Sequence, residues 1–255
     1  MIGAYWKQAV EKGANALSLS VNYVAQNGSD SDSSTGGFLA SNAKGNMLAQ
    51  LGYAGPQWGV ALGYRYGQCG TGFRRGTEFA KPASWSNGCG GTNSASNSFA
   101  LNAYWQPEEA GWIPSISAGW GLNVVPGEAP RDGFDSIGRV RGSQSWMVGL
   151  KWADAFQEGN ALGFAVGQPT FATSVSRCDF DAVNGASCSD TAFDGNYLFE
   201  LYYNIQLTDN IAIAPAVFYL SRPLGQQTRN LVSDGMGYDG QFNVFGCLVQ
   251  TTFRF

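Results

Sequence analysis

The chain has 255 residues, enough for one large domain, yet only 13% are charged while 14% are aromatic and 35 are glycine. That is about half the charge of a soluble domain, and no stretch approaches the roughly 18 consecutive apolar residues of a membrane-spanning helix, so a helical membrane protein is excluded and a soluble globule fits poorly. The net charge of −4, from 15 basic and 19 acidic residues with no histidine, offers no basic patch for nucleic acid and removes His-based catalysis, His metal ligation and Ser-His-Asp chemistry.

Residues 1–12 begin Met1-Ile2-Gly3-Ala4-Tyr5-Trp6-Lys7, without the basic region and apolar core of a secretory leader, and read as a lead-in segment. From there to residue 255 the organising feature is a period of two over stretches with the length of a tilted transmembrane strand. The first strand is expected at 15–26, with Leu17, Leu19, Val21 and Tyr23 on one face and Ser18, Ser20 and Asn22 on the other. Strands at 45–54 and 57–67 follow. In the latter, Trp58, Val60, Leu62, Tyr64 and Tyr66 alternate with Gly59, Ala61, Gly63 and Arg65. Further segments fall at 97–106, 112–124, 143–153, 160–168, 196–207, 210–221 and 242–255, making ten in all. Phe99, Leu101 and Trp105, then Trp146, Val148, Leu150 and Trp152, then Phe199, Leu201 and Tyr203 share the large apolar face. Asn102, Ser145, Lys151, Glu200 and Asn204 share the other, which suits a wetted wall better than a dry core. Aromatics gather near segment ends, as at a membrane interface, although a soluble sheet also packs aromatics.

The connections alternate between short and long. Short ones lie at 55–56, 107–111, 154–159 and 208–209, and long ones at 27–44, 68–96, 125–142, 169–195 and 222–241. This two-beat rhythm belongs to up-and-down outer-membrane barrels, with tight periplasmic turns and longer outside loops, and not to Greek-key sandwiches. The expected fold is therefore all-β: an antiparallel up-and-down transmembrane β-barrel of outer-membrane type over 13–255, preceded by a periplasmic lead-in at 1–12. At least one long loop is expected to fold inward, though periodicity does not say which.

Cys69 and Cys89 fall within one long loop, and Cys178 and Cys188 within another. Two local disulfides are expected, because within-loop pairing closes the shortest chains, and zinc spacing and histidine are both missing. Cys247 is left over on the apolar face of the last strand.

That strand ends Thr251-Thr252-Phe253-Arg254-Phe255, and it is similar to the C-terminal signal of bacterial outer-membrane proteins. With Gly13-Ala14-Asn15-Ala16-Leu17-Ser18-Leu19, Gly159-Asn160-Ala161-Leu162-Gly163, Gly167-Gln168-Pro169 and Leu207-Thr208-Asp209-Asn210-Ile211, it resembles the cyanobacterial major outer-membrane porins related to the OprB-type carbohydrate-selective family. The resemblance implies a sixteen-stranded, trimer-forming barrel in a cyanobacterial outer membrane, preceded by a signal peptide and a cell-wall-binding domain. Two readings stay open: the ten strands close alone, or the chain is the C-terminal part of a larger barrel.

The function expected is passive diffusion of small hydrophilic solutes and ions, with sugars and iron species among them, through a water-filled channel surrounded by outer-membrane lipid. No enzyme chemistry and no cofactor are implied. The expected pore-lining residues are Arg65, Asn102, Tyr104, Lys151, Glu200, Asn204, Gln250 and Arg254. Arg65 and Glu200 stand out because they lie inside strands, although each could be no more than a solvated side chain. The alternative is a secreted or surface β-sandwich that binds or adheres.

Overall fold

The computed structural model describes residues 1–8, 15–40, 42–68, 76–77, 80, 95–109, 111–125, 139–181, 185–191, 194–223, 225 and 242–254, with backbone only at 139, 175–181 and 185–191. Twelve strands are present among them: β1 (Ile2–Lys7), β2 (Ala16–Ala25), β3 (Gly45–Ala54), β4 (Trp58–Gly67), β5 (Ser96–Trp105), β6 (Ser115–Val124), β7 (Arg139–Ala153), β8 (Ala161–Asp181), β9 (Gly185–Thr191), β10 (Tyr197–Thr208), β11 (Ile211–Ser221) and β12 (Asn243–Phe253). They form one antiparallel sheet. Its path follows the chain from β1 to β8 and then through β10, β11 and β12, with β9 extending β8 as a side ribbon.

All ten expected strands are found. β1 was not foreseen; all six of its residues pair with β2, from Ile2 opposite Tyr23 to Lys7 opposite Ser18. The long loop expected at 169–195 is also largely sheet, since β8 runs on to Asp181 and returns as β9.

The register carries the period of two across the whole sheet. Trp6, Leu19, Leu51, Leu62, Leu101, Trp120 and Trp146 are successive cross-strand partners from β1 to β7. Lys7, Ser18, Gly52, Ala61, Asn102, Gly119 and Met147 form the neighbouring row on the other face. The large apolar residues are the exposed ones: Leu62 is 55% exposed, Leu101 41% and Leu201 45%. In β6, Ser115, Ser117, Gly119 and Gly121 are half-buried while Ile116, Ala118 and Trp120 are exposed. The sheet is thus apolar on its open face and mainly small or polar on its shaded face, the reverse of a water-soluble fold.

The expected closed barrel is not formed. β1 and β12 end the path and are not partners of each other. The reason lies in strand direction. Eleven strands alternate along the path, so the first and last run the same way. A closing ladder between them would have to be parallel, the less stable pairing, and none is formed.

The expected disulfides are likewise not supported. Cys69 and Cys89 lie outside the described residues, and so do the side chains of Cys178 and Cys188. Cys178 and Cys188 are backbone register partners in the β8–β9 ladder, so backbone pairing already joins the two arms of that ribbon. Cys247 is a free thiol, exposed on β12.

Candidate functional site

On the shaded face, β1 to β7 surround a hollow of about 480 Å³. Small residues meet at its floor: Gly52, Gly59, Ala61 and Gly119. Lys7, Gln50, Asn102 and Tyr104 supply polar groups, Tyr5 a second aromatic ring, and Met147 closes the side toward β7. Gly59 and Tyr104 are register partners, and a Cβ on Gly59 would stand 2.5 Å from the tyrosine ring, so glycine is what lets that ring lie across the strand. The hollow falls within the usual size range of small-molecule pockets.

Of the residues singled out from the sequence, Asn102 and Tyr104 line this hollow. Arg65 lies further along the same face, half-buried, and donates from Nε to Asn46 Oδ1 at 2.8 Å and from Nη2 to the same oxygen. Lys151 is exposed opposite Gly163, and half-buried Glu200 lies between Ala165 and Phe218. Asn204 pairs with Ala161, Gln250 with Ala214, and Arg254 follows β12, where its carbonyl accepts from Asn210 Nδ2 at 2.7 Å. The structure therefore gathers two of the eight and spreads the others over several strands.

A second polar cluster was missed from sequence. Asp194 and Thr77 are buried and hydrogen-bonded through the threonine hydroxyl, and Asp194 Oδ2 also accepts from Ala172 N at 2.7 Å. Thr77 N donates to Thr170 O at 2.8 Å, and Thr77 Oγ1 accepts from Ala80 N at 3.1 Å. Arg222 reaches the same place, donating to the carbonyls of Gly195 and Gly225, each at 3.2 Å. Three long connections are tied together here. No local pattern announces such a tie, because its two central residues are 117 positions apart.

Sheet and hollow together define a class: an open antiparallel meander, apolar on one face, with a recess of about 480 Å³ on the other. The chain belongs to the OprB family, described as carbohydrate-selective porin, which matches residues 5–255. It is 29% identical over 234 residues to an uncharacterized protein of the cyanobacterium Synechocystis, covering 81% of this chain and 37% of that one. Among solved structures it is similar to Pseudomonas putida OprB at 15% identity and a TM-score of 0.45, covering 98% of this chain and 57% of that one. Salmonella typhi OmpF, solved with daunomycin, matches at 11% identity and a TM-score of 0.46, covering 93% and 61%. The chain thus spans less than two thirds of each of these proteins.

The expectation of a passive, water-filled pore is overturned by the topology. An open sheet encloses no lumen through which solute would diffuse. The alternative of a binding protein fits better, although in one sheet layer instead of a sandwich.

Proposed function

We propose that this chain is an outer-membrane sheet that binds a small hydrophilic solute, of the carbohydrate class, in the hollow on its polar face. The hollow of about 480 Å³ between β1 and β7 carries the reading. Sugars present hydroxyls at their rims and C–H surfaces on their faces. Lys7, Gln50, Asn102 and the Tyr104 hydroxyl serve the first, and the rings of Tyr5 and Tyr104 the second. The glycine floor allows a ring to approach the backbone closely. The location rests on the exposed apolar face, where a continuous row such as Leu19, Leu51, Leu62 and Leu101 suits lipid better than water. Family membership supports both parts, because the family is described as carbohydrate-selective, which bears on the solute, and as porin, which bears on the location.

The test is calorimetric titration of the protein in detergent with a panel of mono- and oligosaccharides. Tyr104→Ala and Asn102→Ala should each weaken binding about three- to tenfold, the scale of one lost ring contact or hydrogen bond. Failure of every sugar to bind the unmodified protein would overturn the proposal.

A further inference from the structure

We infer that the sugar held in the hollow is an acidic one, a hexuronate whose carboxylate meets the Lys7 ammonium. This rests on the sugar-binding reading of the same site and adds to it the sign of the solute's charge.

The chain as a whole is acidic, with a net charge of −4. The strands around the hollow are the opposite. β1 to β7 contain no aspartate or glutamate, and their charged residues are Lys7, Arg65, Arg139, Arg141 and Lys151. Acidic residues sit in the connections instead, such as Asp30 and Asp32 between β2 and β3 and Glu108 and Glu109 between β5 and β6. The last two are exposed in the short turn beyond Tyr104, where water and salt screen them. Among the described residues that line the hollow, Lys7 is the one with a formal charge. A recess whose surroundings carry one sign of charge concentrates solutes of the other sign.

The polar groups sort the same way. A neutral sugar offers hydroxyl hydrogens, which carboxylates accept about twice as strongly as neutral oxygens do. The described lining has no carboxylate; its side-chain acceptors are the amide oxygens of Gln50 and Asn102 and hydroxyls such as those of Ser18 and Tyr104. The Lys7 ammonium has three donors and no acceptor, and a solute that brings its own carboxylate matches it.

The register gives the layout. Lys7, Ser18, Gly52, Ala61 and Asn102 are successive cross-strand partners. Lys7 and Asn102 therefore stand four strand spacings apart, roughly 19 Å along the sheet. Only small side chains lie between them, and the Ser18 hydroxyl is folded down onto the floor, donating to Gly52 O at 3.4 Å. A pyranose ring laid on that floor has its carboxylate toward Lys7 and its far hydroxyls toward Asn102 and Tyr104.

The full chain in detergent is titrated calorimetrically at low salt with glucose, glucuronate and the methyl ester of glucuronate, which keeps the ring and removes the charge. Glucuronate should bind about three- to tenfold more tightly than the ester, between the effect of an exposed ion pair and that of a charge-assisted hydrogen bond. Lys7→Met should remove that preference and Lys7→Arg should keep it, with β-sheet circular dichroism as the folding check. Lys151→Met, on the same face but outside the hollow, should leave the preference in place. Equal binding of glucuronate and its ester, beside measurable glucose binding, would overturn this inference and leave the sugar reading standing. A preference that survives Lys7→Met, or that Lys151→Met removes equally, would overturn the role given to Lys7. Silence of all three ligands would overturn both readings.

Discussion

The shaded face of the sheet has two different ends. Across β2 to β6 it carries Ser18, Gln50, Ala61, Asn102 and Ser117, and it dips into a hollow. Across β10 to β12 the same face mixes Leu198, Phe218, Leu220, Val244 and Leu248 with Glu200, Asn204 and Gln250. The opposite face is apolar at both ends. One end is therefore small or polar on the shaded face and apolar on the other, while the β10–β12 end sets large apolar groups among polar ones on the shaded face. A single alternating pattern thus serves two environments, and what distinguishes them is residue size and polarity on one face only.

The largest effect is expected where a long connection crosses toward β8. Asp194→Ala leaves the Thr77 hydroxyl and the Ala172 N–H buried without this acceptor, at about 1–3 kcal/mol for each donor stranded. The expected outcome is faster proteolysis around residues 76–80 and a lower unfolding temperature, with sugar binding at the distant hollow retained. Loss of binding in the folded variant would mean that the two ends are coupled.

The next test separates the faces. Leu201→Arg, on the exposed apolar face, should destabilise the protein in lipid by about 2–4 kcal/mol if that face meets the bilayer interior, whereas Gln50→Arg on the polar face should cost less than about 1. Equal costs in a urea titration from lipid vesicles would break the assignment of lipid to one face.

The smallest effect concerns the connection between β2 and β3. The Thr35 hydroxyl and the Asp32 N–H hold the Asp30 carboxyl below its ordinary range, and the Ser34 hydroxyl and N–H do the same for Asp32. Depressed acids stabilise the folded form above their unfolded value, about 3.9, and that contribution is lost as pH falls through the folded value. Amide exchange in residues 30–36 should therefore show more opening at pH 3 than at pH 5, once intrinsic rates are corrected. Asp32→Asn should flatten part of that difference, while the hollow is unaffected.

Strand positions were legible because each depends on its own residues: Trp58 to Tyr66 alternates wherever the strand is placed, and the turn at Gly55-Pro56 ends it locally. β1 was missed although Ile2, Ala4 and Trp6 alternate with Gly3, Tyr5 and Lys7, because six residues are too few to stand out before their pairing with β2 is known. For the same reason Tyr5 and Lys7 were absent from the expected site, while Asn102 and Tyr104 were found on a strand long enough to assign faces. The β8–β9 ribbon was read as loop because Asp, Asn, Ser and Gly dominate residues 179–190.

The amino-acid sequence by itself determined that this is an all-β chain of alternating strands with one large apolar face, since a period of two is a property of neighbouring residues. Only the tertiary structure decided that the sheet stays open, that seven strands form one hollow, and that Thr77 meets Asp194. Each of these depends on the register, direction or pairing of segments far apart in the chain, and alternation within a strand carries no information about which edge lies beside it.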